Sequence, residues 1–228
     1  SLGLGLSYPS HQQEVGTRNI VYFQKRAPHT SLINPIHAQP YLDFEAEISI
    51  LMHRHEPELF GYLIHNDLTD RGIQVRTYDN KNPAPGFSKS KSLNGLNAHG
   101  LFMAVGSLEM WKTLEVKLYR NNIPVQHVKA RENVLDPKQI HAHVFANPEL
   151  SENKDWVLIG TGTPAGTIFR APSLLERIWI FTLSGFNFDR AQKRWLEKFD
   201  FLKDEDVLEF RSQTLGYFST KVISEIHP

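Results

Sequence analysis

Leu42-Asp-Phe-Glu-Ala-Glu-Ile-Ser-Ile-Leu-Met52 is the stretch on which the reading of this chain turns. Leu42, Phe44, Ala46, Ile48, Ile50 and Met52 take every second place, with Asp43, Glu45, Glu47 and Ser49 between them. That is the period of a strand with one face in a core, and here the other face carries acid. Working outward, Leu114, Val116 and Leu118 alternate with Glu115, Lys117 and Tyr119. Asn121-Asn122 then turns the chain into Ile123-Pro-Val125, a hairpin signature. Trp156-Val-Leu-Ile159 and Val207-Leu-Glu-Phe210 read as further strands. A helix is expected from about Asp189, a capping residue type, because Ala191, Trp195, Leu196 and Phe199 recur at helical spacing. The polar, proline-bearing stretches 76–86 and 137–155 read as long loops. The class this pattern implies is α+β, predominantly β, with few short helices, in a single domain spanning 1–228.

Composition narrows the function. The 228 residues hold 25 Lys and Arg against 25 Asp and Glu, so the net charge is zero and offers no field for nucleic acid or a membrane surface. With 40% hydrophobic and 22% charged residues the chain is an ordinary globular one, which excludes disordered and collagen-like classes. Its length suits one well-buried domain that needs no disulfide or metal to fold. The absence of cysteine excludes disulfide frameworks, thiolate zinc sites and cysteine nucleophiles together. No apolar run approaches the roughly 20 residues of a spanning helix. Ser1-Leu-Gly-Leu-Gly-Leu6 lacks the basic lead-in of a signal peptide. A cytoplasmic location is expected, with a mitochondrial one left open.

Several groups could carry chemistry. Glu45 and Glu47, two apart on a strand, share a face, and Asp67 ends the run Tyr62-Leu-Ile-His-Asn-Asp67. Three hard oxygen donors suit Mg²⁺, with Mn²⁺ or Ca²⁺ possible; acids on the wet face of an antiparallel strand are equally ordinary. His11-Gln-Gln-Glu14 puts imidazole and carboxylate on one face if helical. A carboxylate orients a histidine and raises its basicity, as a general base requires; a solvated helix start is the alternative. His53-Arg-His55 and His141-Ala-His143 could each share a metal on a strand, yet Pro57 and the surrounding charges favour a surface turn, and both pairs are expected to be solvated.

Together these pieces resemble the fumarylacetoacetate hydrolase family. Gly5-Leu-Ser-Tyr8 with His11 and Glu14, Tyr22-Phe-Gln-Lys25, Asp43-Phe-Glu-Ala-Glu47, Gly61-Tyr-Leu-Ile-His-Asn-Asp-Leu-Thr-Asp-Arg71 with Gln74, Lys91-Ser92 and Thr161-Gly-Thr-Pro-Ala-Gly166 follow the family's motifs in order. The resemblance implies a mixed β-roll or β-sandwich and a divalent ion held by Glu45, Glu47 and Asp67. It also implies His11, oriented by Glu14, as the base that activates water, Lys91 facing the developing oxyanion, and Arg71, Gln74, Tyr78 and Thr163 positioning the substrate. The implied activity is metal-dependent hydrolysis of a carbon–carbon bond in 1,3-diketo or 2-oxo acids of acylpyruvate or fumarylacetoacetate type, by a homodimer. Decarboxylation of a 2-oxo dicarboxylate such as oxaloacetate, or isomerisation, is the nearest alternative; a non-catalytic metal-binding scaffold is one of another class. Ser7 stands where the family usually has Asn, Asn94 where an Asp is common, and Ala98 where a proline is usual. Lys89 competes with Lys91, since two lysines two apart on an extended segment point the same way. Residues 170–200 read as a helical insertion: a lid, a dimer contact or a packed addition.

Overall fold

The computed structural model describes residues 1–15, 19–26, 29–30, 33–37, 40–79, 81–93 and 95–223; Asn94 lies outside them. In chain order the elements are β1 (Leu2–Gly5), α1 (Pro9–Val15), β2 (Val21–Gln24), β3 (His29–Thr30), β4 (Ile33–His37), β5 (Leu42–Asp43), β6 (Ala46–His53), β7 (Glu56–Asp67), β8 (Thr69–Asp70), α2 (Arg71–Thr77) and α3 (Ala84–Lys91). They continue with β9 (Asn97–Gly106), α4 (Leu108–Thr113), β10 (Glu115–Arg120), β11 (Ile123–Lys129), α5 (Pro137–Ala146), α6 (Pro148–Ser151), β12 (Trp156–Gly160), α7 (Leu174–Leu183), α8 (Phe188–Leu196), β13 (Val207–Ser212) and β14 (Gly216–Ile223). Among the described residues no helix is long and apolar enough to cross a membrane.

Alternation decides the layers. Ile48, Ile50 and Met52 of β6 and Phe60, Tyr62 and Ile64 of β7 face one way. Val116, Leu118, Leu208, Phe210 and Phe218 of the opposing sheet face them in one continuous core. The first sheet runs β2-β1-β12-β6-β7-β9-β3, the second β11-β10-β13-β14-β4, and β5 pairs with β8 alone. Each large side chain so buried contributes about 1.5–3 kcal/mol, and the Phe210 and Phe218 rings meet at 5.2 Å. The fold is the expected predominantly β, two-sheet α+β arrangement with short helices.

Residues 42–52 are not one strand. The chain leaves the β5–β8 pair at Phe44 and joins the large sheet at Ala46. At the crossing, the Ala46 N–H donates to Gln126 Oε1 (2.9 Å) and its carbonyl accepts from Thr163 Oγ1 (2.9 Å). Side chains thus take over from the ladder where the sheet changes. The acid-bearing face is not wet either: Asp43, Glu45, Glu47 and Ser49 are all buried.

Helices replace most of one expected loop and both ends of the other. In 137–155, Asp136 Oδ1 accepts from the Gln139 N–H and Gln139 Oε1 accepts from the Asp136 N–H, a capping box that starts α5. The prolines read as loop signals, Pro137 and Pro148, each stand at a helix start, where a missing N–H costs nothing. In 76–86, α2 runs to Thr77 and α3 begins at Ala84. The helix expected near Asp189 is α8, but its cap is Asn187, which accepts from Arg190 N (2.9 Å).

Candidate metal and catalytic site

The site grows from three neighbouring strands. Glu47 of β6 lies directly across from His65 of β7, and His65 from His99 of β9, so three side chains form a row across the sheet. Glu45 precedes β6 and Asp67 ends β7, tied by a bond from Asp67 N to Glu45 O (2.9 Å). Carboxylate oxygens of Glu45, Glu47 and Asp67 lie within 4.8 Å of one another, all buried.

Cations surround them. Lys91 Nζ donates to Glu45 Oε2 (2.6 Å) and Asp67 Oδ2 (2.9 Å), and Lys25 Nζ donates to Asp67 Oδ1 (2.5 Å). Arg71 spreads its guanidinium over Asp43 Oδ2 (2.7 Å), Glu45 Oε1 (2.8 Å) and Gln74 Oε1 (2.7 Å). Asp43 also accepts from the Ile168 and Phe169 N–H groups, and the Phe169 ring lies over Arg71. The last turn of α3 supplies Lys91. Because 84–91 is helical, Lys89 and Lys91 do not share a direction as an extended segment would require: Lys89 is exposed and Lys91 buried.

Electrostatics separate the carboxylates. Burial works to raise Glu45, but Lys91, Arg71 and His11 outweigh it and hold the carboxyl down to about 2. Burial, then the Asp67 charge, push Glu47 well above its ordinary range despite Lys25 and Lys91. Glu47 therefore lacks positive charge, which a divalent cation among the three carboxylates would supply; the hard oxygen donor set suits Mg²⁺, Mn²⁺ or Ca²⁺. Although burial opposes it, Asp67, Glu45 and Glu47 raise Lys91, so its ammonium stays charged.

His11 sits in α1, with Nδ1 3.0 Å from Glu14 Oε2. When Nδ1–H donates to the carboxylate, Nε2 keeps a lone pair for a proton. Ser7 Oγ donates to the Thr161 carbonyl, and Asn133 Nδ2 bonds both that carbonyl (2.7 Å) and Ser7 Oγ (3.1 Å). An amide, absent at position 7, thus arrives from position 133. The turn itself needs Gly162, whose φ is +84°.

The expected site residues divide. Glu45, Glu47, Asp67, Lys91, Arg71 and Gln74 form one connected cluster, and His11 lies near enough to act electrostatically on Glu45. The Thr163 hydroxyl bonds Ala46 O and Gln126 Nε2, bracing the strand break. Tyr78 is 42% exposed, its ring edge-on to Phe87. Of the two His-x-His pairs expected to be solvated, His141 is buried on α5, with Nε2 2.9 Å from His53 O, while His55 and His143 are exposed. Sequence reasoning gave no role to Lys25, Asp43, His65 or His99. His65 stands two places before Asp67 on a strand, a same-face signal that was available; the pairing of His65 with His99 needs the β7–β9 register.

A family model described as the C-terminal part of fumarylacetoacetate (FAA) hydrolase matches residues 2–223. No curated protein matches the chain by sequence. Among solved structures, fumarylacetoacetate hydrolase from psychrophilic Exiguobacterium antarcticum is 19% identical with a TM-score of 0.65, over 98% of this chain and 74% of that one. Fumarylpyruvate hydrolase from Pseudomonas aeruginosa, in complex with Mn²⁺ and pyruvate, is 16% identical with a TM-score of 0.66, over 98% and 89%. The 2-hydroxyhepta-2,4-diene-1,7-dioate isomerase from Mycobacterium marinum is 17% identical with a TM-score of 0.60, over 99% and 74%. These similarities establish the fold and include both hydrolases and an isomerase.

Proposed function

The chain belongs to the fumarylacetoacetate hydrolase family, and from that premise we propose that it is a divalent-metal-dependent hydrolase cleaving a carbon–carbon bond in acylpyruvate-type 1,3-diketo acids. The observation that carries this reading is the buried triad of Glu45, Glu47 and Asp67 beside a charged lysine and an oriented histidine. The Mn²⁺ in the fumarylpyruvate hydrolase complex supports a divalent cation there; Mg²⁺ is the ion we propose in the cell.

Glu45, Glu47 and Asp67 would hold the cation, which when bound would supply Lewis-acid polarisation of the 2-oxo group. His11, its Nδ1–H given to Glu14, accepts a proton at Nε2 from a water that adds to the distal carbonyl. The bond between that carbonyl and the adjacent methylene then breaks. Its electron pair stays with the 2-oxo acid fragment, a proton returns to carbon, and the acyl part leaves as a carboxylic acid. Lys91 faces the developing negative charge, where an ammonium in a buried site acts most strongly. Gln74 and Tyr78 are proposed substrate contacts. Arg71 and Thr163 act by holding Glu45 and Ala46 in place.

A panel of acylpyruvates, fumarylpyruvate and oxaloacetate, assayed with Mg²⁺ and with Mn²⁺, tests the reading. Cation-dependent release of a carboxylic acid from an acylpyruvate is expected. Turnover of oxaloacetate alone would make the protein a decarboxylase, and no turnover of any oxo acid would leave a scaffold. Glu47→Ala should lower turnover about 10³-fold, the effect of several kcal/mol of lost charge stabilisation.

A further inference from the structure

The proposed chemistry leaves a buried chain of Lys25, His65 and His99 without a task. Lys25 Nζ lies 3.2 Å from His65 Nε2. An ammonium can only donate, so Nε2 carries the lone pair and the ring proton sits on Nδ1. That nitrogen lies 3.0 Å from Glu47 Oε2 and donates to it. The ring is held from both sides. His99 stacks on it at 4.2 Å and 4°, itself anchored through Nε2 to Ser49 Oγ (2.9 Å). Opposite, β12 runs so close that a Cβ on Gly160 would lie 2.8 Å from His65 Nδ1 and 2.5 Å from Glu47 Oε2. His65 is 1% exposed.

We propose that His65 is a positioning residue: as the Nδ1–H tautomer selected by Lys25, it locks the Glu47 carboxylate in the orientation that closes the triad and thereby sets the protein's affinity for a divalent cation. A histidine between a lysine and a ligand carboxylate does here what outer partners do for metal ligands generally, where their loss costs about 10–100-fold in affinity. The inference rests on the cation site of the proposed function.

Two measurements on the full chain test it. Nitrogen-15 histidine spectra of the metal-free protein at neutral pH, with His65 assigned by its loss in His65→Asn, should show Nδ1 protonated and Nε2 unprotonated. A protonated Nε2 overturns the inference, whatever the variants do. In Mn²⁺ titrations followed by electron paramagnetic resonance, His65→Leu should bind about 10–100-fold more weakly than the native chain. His65→Asn, whose amide nitrogen falls near the Nδ1 position, should recover most of the loss. Native-like Mn²⁺ affinity in His65→Leu overturns the inference alone, whereas a native chain that binds no Mn²⁺ overturns the cation site and the inference with it.

Discussion

β6 and α7 are both rich in apolar residues, and the molecule treats them in opposite ways. In β6, Ala46, Ile48, Ile50 and Met52 are fully buried, and the polar face between them is buried too. In α7, Leu174, Leu175, Ile178 and Trp179 are 58 to 79% exposed, and Ile180 is the residue the helix buries. The strand is held by its neighbours in space. The helix is held by its first turn, through the Ser173–Glu176 capping box and the bidentate pair of Arg170 with Glu176, and by α8 beside it, whose Arg194 donates to Leu183 O. Apolar content therefore does not say where a segment is buried; a partner across the sheet does.

The largest break in this contrast is expected at Arg71. Arg71→Met leaves Asp43 short of its cation and takes from Glu45 one of its two ion-pair partners, and removing one partner from such a buried cluster costs about 3–5 kcal/mol, to be read from urea unfolding midpoints. An unchanged midpoint would mean that the acid face is not held by its tertiary partners.

The next effect depends on pH. Burial first, then Lys25, hold the folded His99 ring neutral down to about 3, against an ordinary 6.5. Between those values the unfolded chain binds more protons than the folded one, so His99 takes stability away as pH falls from 6.5. In His99→Phe that contribution disappears. Its stability should fall less steeply than the native chain's between pH 6.5 and 4, by up to about 1.4 kcal/mol per pH unit. Parallel stability curves would refute a buried neutral ring.

On α7 the effects shrink and become local. Ser173→Ala removes a cap worth about 1 kcal/mol. It should speed amide exchange within 174–183 about fivefold while leaving the global unfolding midpoint in place. Smallest of all, Trp179→Glu should change stability by no more than about 0.5 kcal/mol. A loss of several kcal/mol there would show that the exposed face of α7 is covered in solution.

Much of the site was legible because its residues lie in short runs with strand or helix periods. Glu45 and Glu47 announce a shared face, and His11 with Glu14 announces a helical pair that α1 provides. The break at Phe44 was not legible, since an uninterrupted alternation looks identical whether or not the strand changes sheets. Lys89 and Lys91 could not be ordered from a segment read as extended; the 3.6-residue turn of α3 separates them. Pro137 and Pro148 misled for a simple reason. The same residue that ends a helix from within starts one from its first turn.

By itself the sequence determined the alternating core face, the acid residues, the histidine–carboxylate pair and the family to which they belong, all of them properties of residues near one another along the chain. Only the tertiary structure decided that the acid face is dry, that Lys25, Arg71 and Lys91 converge on it from three separate stretches of chain, and that His65 lies between Glu47 and His99. The physical reason is register. A strand's own pattern says which residues share a face, but which residue of the next strand lies opposite depends on hydrogen-bonded pairings that no local stretch encodes.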